Sequence, residues 1–150
     1  MSPRLELKLK LKPYEPLESD IQSAILCALG RQDVRMVQKR GRVVAEKDGL
    51  YKAPGSVFWR ANCGGLSISG RPMRGNPSGT ADILGVVNGR PCAMEVKRAS
   101  GKQSEIQTHW QRVWEAAGGL YAVVRSVGEA TVRKLIGQGK IVSAFEEKQS

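Results

Sequence analysis

Between Gly79 and Lys97 the chain reads GTADILGVVNGRPCAMEVK, two short apolar runs on either side of Asn88-Gly89. Asn-Gly tolerates the positive φ angles of a two-residue turn, and the flanking runs, residues 82–87 and 91–97, are strand-prone, so the stretch is predicted to fold as a β-hairpin. Side chains alternate along a strand, which puts Glu95 and Lys97 on one face and Val96 on the other. Folding the hairpin back along its length carries Asp82, at the start of the first strand, towards that pair. An acid from each strand and a lysine then share one spot, and that spot is too charged for a core. At about 4 Å two carboxylates repel by roughly 4 kcal/mol for an effective dielectric of about 20, unless a proton or divalent cation relieves them. Hard oxygen ligands of this kind favour Mg²⁺ or Mn²⁺ over zinc.

The acids stand out because the rest of the chain is basic. Its 150 residues hold 24 Lys and Arg against 14 Asp and Glu, a formal net charge of +10. A polyanion is the first partner to consider, nucleic acid ahead of an acidic membrane surface. Aromatic residues make up only 5% of the chain, so phosphate contacts fit better than base stacking on an aromatic platform. Cys27, Cys63 and Cys92 are odd in number and show no metal-ligand spacing, which points to structural or incidental thiols. No signal peptide is visible and no apolar run approaches the roughly 18 residues of a membrane span. A soluble intracellular protein without a membrane partner is the expectation.

The organisation along the chain supports one α/β domain. Residues 1–17 alternate Leu5, Leu7, Leu9 and Leu11 with charged residues and then meet Pro13 and Pro16, as in an edge strand or dimer arm. From Glu18 to Leu29 the apolar positions Ile21, Ala24, Ile25, Ala28 and Leu29 have helical spacing; Gly30 is placed to end the helix, and Ser19 with Gln22 to cap its start. Glu18 is an acid at the positive end of a helix or, in the sharper reading, a metal ligand. Residues 31–56 are basic and poorly patterned, with strand character at 34–37 or 41–45. Residues 57–61 form a strand that delivers Arg60 to one side, and 62–80 form a glycine-rich loop carrying Arg71 and Arg74.

Beyond the hairpin, Ser104-Glu-Ile-Gln107 is a capping box, and the helix it opens is expected to bury Ile106, Trp110, Val113, Trp114 and Ala117. Gln103, Gln107 and Gln111 occupy a separate polar stripe. Gly118-Gly119 ends the helix, and residues 120–124 form an apolar strand of the kind buried on both faces. Strand, helix, strand implies a parallel crossover. A further capping box at 126–129 starts a helix through about 137, and 138–150 is a tail. His109 reads as structural or exposed rather than as a general base.

The assembled pattern is Glu18 in an early helix, Gly79-x-x-Asp82, Glu95-x-Lys97, Gln107 on the next helix, and Gly118-Gly119 before a hydrophobic strand. It resembles the PD-(D/E)XK nuclease superfamily and, within it, the virus-type replication-repair nuclease (VRR-NUC) family over residues 18–137. Trp59-Arg60-Ala61-Asn62-Cys63-Gly64, Gly101-Lys102-Gln103-Ser104 and Gly118 to Ser126 resemble that family's other blocks. Ala81 departs from it, standing where the superfamily name has proline. The resemblance implies a restriction-endonuclease-like core, a mixed β-sheet flanked by helices. It also implies Mg²⁺, replaceable by Mn²⁺, held by Asp82, Glu95, the Val96 carbonyl and Glu18. Lys97 would stand beside the attacking water, Gln107 would position water or ligand, and Arg60, Asn62, Arg71, Arg74 and Lys102 would face nucleic acid. Stand-alone members of the family resemble Holliday-junction resolvases, which implies branched DNA and a homodimer. The rival readings are a non-catalytic DNA-binding module on the same fold and an RNA-directed nuclease.

Overall fold

The computed structural model describes residues 14–61, 66–68, 71–73 and 75–130. The leucine-alternating arm, Asn62, Cys63, Arg74 and the region after Ala130 lie outside the described residues, and β5, β6 and the last two residues of α3 are described in backbone alone. The elements run α1 (Glu18–Leu29), β1 (Val34–Lys39), β2 (Arg42–Lys47), β3 (Tyr51–Ala53), β4 (Ser56–Arg60), β5 (Leu66–Ile68), β6 (Arg71–Met73), β7 (Ile83–Val87), β8 (Arg90–Val96), α2 (Glu105–Ala116), β9 (Leu120–Val124) and α3 (Val127–Ala130). The protein is a mixed α/β structure. Among the described residues no helix is long and apolar enough to cross a membrane.

The central sheet has five strands in the order β3-β4-β7-β8-β9. Its middle is the predicted hairpin: β7 and β8 pair antiparallel with Ile83 opposite Met94 and Val87 opposite Arg90. Asn88 and Gly89 turn between them at φ 47° and 80°, the paired positive angles that the dipeptide was expected to supply. β9 returns parallel to β8 with Cys92 opposite Leu120 and Val96 opposite Val124, so the crossover through α2 is present.

Alternation along the strands sorts the side chains onto two faces. On one, Ile83, Met94, Val96 and Val124 pack with Ile21, Ile25, Leu26 and Leu29 of α1 in the main core. On the other, Ala93 and Tyr121 meet Trp110 and Trp114 of α2. α1 has the predicted bounds, but Ala24 and Ala28 are exposed and Leu26 is fully buried. The helix turns its larger side chains inward because a leucine removes more apolar area from water than an alanine. No side chain caps it. Leu17 is the N-cap residue, so Ser19 lies within the first turn, too late for the capping box expected of it. Gly30 does end the helix, its amide donating to the Leu26 carbonyl.

Two further expectations need correction, and one is extended. The basic stretch after α1 is a well-formed hairpin, β1 with β2, in which both candidate strand segments pair; β3, within the same stretch, carries no pattern that sequence reading detected. The glycine-rich loop contains a small ladder, Leu66 opposite Met73 and Ile68 opposite Arg71. Three-residue strands are too short for a period-two signal to stand out among glycines. In α2 the expected buried stripe is not buried: Ile106 is 50% and Val113 57% exposed, whereas Trp110 and Trp114 are half-buried. The helix is rotated so that its glutamines face inward with the tryptophans.

Gly85, in the centre of β7, is required by close packing. A Cβ there would lie 2.2 Å from the Phe58 ring and 2.4 Å from the Val57 carbonyl oxygen, and Phe58 itself is only 1% exposed. Gly85→Ala should therefore force the β4–β7 pair apart and cost about 1–3 kcal/mol. Urea denaturation checks this, the expected result being a lower midpoint with an unchanged slope.

Candidate active site

Ile83 is the first residue of β7, and the register carries one step further to set Asp82 against Glu95. There the Asp82 side chain takes over from the backbone ladder. Its Oδ2 accepts the Val96 amide at 2.8 Å, while its own carbonyl accepts the Ala61 amide at 2.8 Å. A strand end that would leave an orphan donor is thereby closed by a carboxylate. Gly79 sets the approach to it. With φ at 84°, it passes so close to α2 that a Cβ would lie 2.5 Å from the Ile106 carbonyl oxygen. Only glycine combines that angle with that clearance.

Glu95 contradicts the expectation that this spot lies outside the core, because it is only 2% exposed. It points to the same face as Ala93, the α2 face. Oε1 accepts from Gln107 Nε2 at 2.7 Å and stands 3.6 Å from Lys97 Nζ. Oε2 is buried and has no hydrogen-bond partner. Burial first, and then the charge of Asp82, push the carboxyl up from 4.5 to about 8, with Lys97 opposing the shift. An ionised Asp82 offers no donor to an ionised Glu95, so the two settle only around a proton or a cation.

Gln107 is oriented by the helix start. The predicted capping box is present: the Ser104 hydroxyl accepts the Gln107 amide, and Gln107 Oε1 accepts the Ser104 amide at 2.9 Å. With the oxygen end of the side chain committed to the cap, its nitrogen end must point away from it, and it meets Glu95. One glutamine therefore ties the helix terminus to the buried acid. Its neighbours on the polar stripe form a second link: Gln103 Nε2 donates to Gln111 Oε1 and to the Tyr121 hydroxyl, each at 3.0 Å.

Lys97 follows β8 directly, its amide donating to the Val124 carbonyl at 2.9 Å, and its side chain is only 13% exposed. The loop after it is held by a residue to which sequence analysis gave no separate role. Arg125 Nη1 donates to the carbonyls of Arg98, Ala99 and Gly101 at 2.6, 3.3 and 2.7 Å. An arginine just past an apolar strand was the available signal, but sequence spacing alone does not reveal carbonyl partners about 25 residues upstream.

The remaining candidates fall elsewhere. Glu18, half-buried in the first turn of α1, belongs to the helix on the opposite face of the sheet. Among the described residues no three of His, Cys, Asp and Glu form a metal-holding group, so Asp82 and Glu95 stand as a pair without it. Arg60 Nη2 donates to Ser23 Oγ at 2.7 Å and ties β4 to α1. Lys102 and His109 are exposed. Asn62, the Arg71 side chain and Arg74 are outside the described residues. Cys92 is buried, and that burial pushes its thiol up to about 11, consistent with an inert structural cysteine.

Two carboxylates, one with a buried oxygen lacking any donor, and an adjacent lysine suit a hard divalent cation bound between protein and a phosphate, because Mg²⁺ commonly takes only one or two protein carboxylates. No family model matches the chain, and no curated protein or solved structure matches it.

Because the folded state holds the Glu95 proton more tightly than the unfolded chain does, this carboxyl contributes stability at acid pH that is lost as pH rises from 4.5 to about 8. In metal-free buffer the melting temperature should therefore decline over that window more steeply than in Glu95→Gln, which has nothing to titrate. Near pH 8 the Glu95→Gln variant should be the more stable of the two, and millimolar Mg²⁺ should raise the melting temperature of the parent protein but not of the variant. Scanning calorimetry at several pH values reads all three outcomes.

Proposed function

We propose that the protein is a metal-dependent nuclease of the PD-(D/E)XK type, similar to the VRR-NUC family. It would hydrolyse phosphodiester bonds in DNA, with branched or four-way junctions as substrate and a homodimer as the working unit. The observation that carries this reading is the acid pair at the β7–β8 strand end: Asp82 facing a buried Glu95 whose Oε2 lacks any donor, with Lys97 Nζ 3.6 Å away. A solely structural site would replace such a pair with apolar residues at no loss of stability. The net charge of +10 supports a polyanionic substrate.

Phosphodiester hydrolysis requires charge to be stabilised on the phosphoryl oxygens, a hydroxide-like nucleophile, and a route for the alkoxide to leave. Mg²⁺ or Mn²⁺ held by Asp82 and Glu95, with the Val96 carbonyl as the resemblance implies, would supply Lewis-acid stabilisation of that charge. Gln107 occupies Glu95 Oε1 and so leaves Oε2 as the free donor atom. Asp82 keeps Oδ2 on the Val96 amide, which fixes its carboxylate plane relative to Glu95. Lys97 places an ammonium beside the pair, where it orients a water and offsets negative charge arriving with the phosphate. Arg125 holds the loop that follows Lys97. Two symmetric cuts in a four-way junction need two such sites, which one chain lacks; hence the dimer.

Asp82→Ala and Lys97→Ala should each lower cleavage at least about a hundredfold in a panel of four-way junction, flap, linear duplex and single-stranded DNA, while still binding the junction in a gel-shift assay. Full cleavage by either variant would refute the site. Preferential cleavage of an RNA panel would redirect the reading to an RNA nuclease, and binding without cleavage by the parent protein would leave a DNA-binding module. Light scattering should give a dimer at micromolar concentration.

A further inference from the structure

The β1–β2 hairpin takes no part in the site or the central sheet. Its strands pair with each other and with no other strand among the described residues. Ten of its twelve strand residues are exposed, so both faces are wet. An isolated two-stranded hairpin is marginal in water, yet this one is deliberately built. Arg40 and Gly41 turn it with positive φ angles of 49° and 73°, and the register is unbroken from Val34 opposite Lys47 to Lys39 opposite Arg42. Its base is clamped. Lys52 on β3 makes ion pairs with Asp33 and with Asp48, which flank the ribbon, and the Gly49 amide donates to Gln32 Oε1 at 3.0 Å. A regular, solvated ribbon clamped at its base implies a surface held ready for a partner.

Its chemistry indicates which partner. From Val34 to Lys47 there are five Lys or Arg and a single acid, Glu46. That acid is spent on Lys39, 3.1 Å away, and Arg40 and Arg42 at the tip have no ion-pair partner among the described residues. By alternation and register, Arg35, Lys39 and Arg42 share one face, and Met36, Gln38 and Val43 share the other. Met36 is 66% and Val43 61% exposed. Lys and Arg along a free strand edge discourage another strand from adding to it, which disfavours a second copy of the chain. The same cations suit a polyanion.

We propose that this hairpin is a DNA-docking arm, a two-stranded ribbon that enters the major groove of duplex DNA. The proposal takes DNA as the partner from the nuclease reading but does not depend on cleavage. B-DNA's major groove, about 12 Å wide and about 8.5 Å deep, admits a two-stranded β-ribbon. Six residues per strand at about 3.3 Å each give a ribbon about 20 Å long, enough to lie with one face along the groove floor while its tip reaches the backbone at the groove's edge. The tip cations bind phosphates along the groove walls. Met36 and Val43 meet thymine methyl groups and sugar edges, and the Gln38 amide between them matches the donor and acceptor pair of adenine.

The test is the double variant Arg40→Asn/Arg42→Thr. Asn-Gly is the preferred tip for such a turn and threonine is a good strand residue, so the ribbon is not weakened; a circular dichroism melt confirms this. Binding to a linear DNA duplex and to an RNA duplex of equal length is measured in EDTA across a salt series. For DNA, the slope of log K against log salt should shrink by about 0.9 for each phosphate that the variant no longer neutralises, with affinity falling about tenfold per phosphate near 0.1 M salt. The RNA duplex, whose major groove is too narrow for side chains, should show a smaller change. An unchanged DNA slope, an equal weakening on both duplexes, or no DNA binding by the parent protein overturns the arm. So does an oligomer that Met36→Lys/Val43→Lys dissociates while the DNA slope stays intact. If the parent protein binds DNA with the predicted variant defect but cleaves nothing, the nuclease reading fails and the arm stands. Intact cleavage with an unchanged slope removes the arm alone.

Discussion

The carboxyl of Glu95 is the most costly group in the sheet to bury, and the local structure is arranged around it. An isolated ionised carboxylate at 2% exposure is not sustainable without partners. Three side chains from different elements surround it. Gln107 comes from the start of α2, Lys97 from the end of β8 and Asp82 from the end of β7. Asp82 makes matters worse in charge while improving them in geometry, because its Oδ2 secures the Val96 amide next to Glu95. The net result is a carboxyl pushed towards its neutral, protonated form.

This requirement also explains the rotation of α2. Area alone favours burying Ile106 and Val113, and the helix leaves both exposed. Turning the other way brings Gln107 to Glu95 and Gln111 to Gln103, whose amide nitrogen also donates to the Tyr121 hydroxyl. Burying a few more apolar side chains, at about one or two kcal/mol each, is the smaller term when an unsatisfied buried acid costs more. Trp110 and Trp114 reconcile the two demands. They stack with centroids 4.8 Å apart, cover the sheet, and leave Trp114 Nε1 to donate to the Leu120 carbonyl at 2.9 Å. Gly119 permits that approach, since a Cβ there would lie 2.3 Å from the same nitrogen.

Sequence legibility follows the range of the interaction that decides each feature. The Asn88-Gly89 turn, the Ser104–Gln107 cap, the bounds of α1 and the parallel return of β9 are decided within a few residues or by a strong period, and each was legible. The meeting of Asp82, Glu95 and Lys97 was legible too, because a tight turn fixes register and register fixes faces. The illegible features depend on residues distant in sequence. The Arg125 clamp spans 24 to 27 residues, the orientation of α2 depends on Glu95, and the choice of Leu26 over Ala24 and Ala28 depends on which side of α1 meets the sheet. Burial of Glu95 could not be read from strand alternation, which gives a face but not what covers it.

The sheet divides structural and chemical demands between its two sides. The α1 face is wholly apolar in its core, with Ile25, Leu26, Ile83, Met94, Val96 and Val124 all below 2% exposure, and it anchors β7 and β8. The α2 face has a smaller apolar cluster and admits the acid pair at the strand ends. Val96 and Glu95 are adjacent on one strand and serve opposite faces, so the packing that fixes Val96 also fixes the backbone from which Glu95 projects. On the nuclease reading this is what holds a metal site rigid while its ligands repel one another: the strain of two facing carboxylates is opposed by an apolar core on the far side of the same strands. On the same reading, the basic remainder of the chain would act at longer range, drawing a phosphate backbone towards a site whose local charge would otherwise repel it.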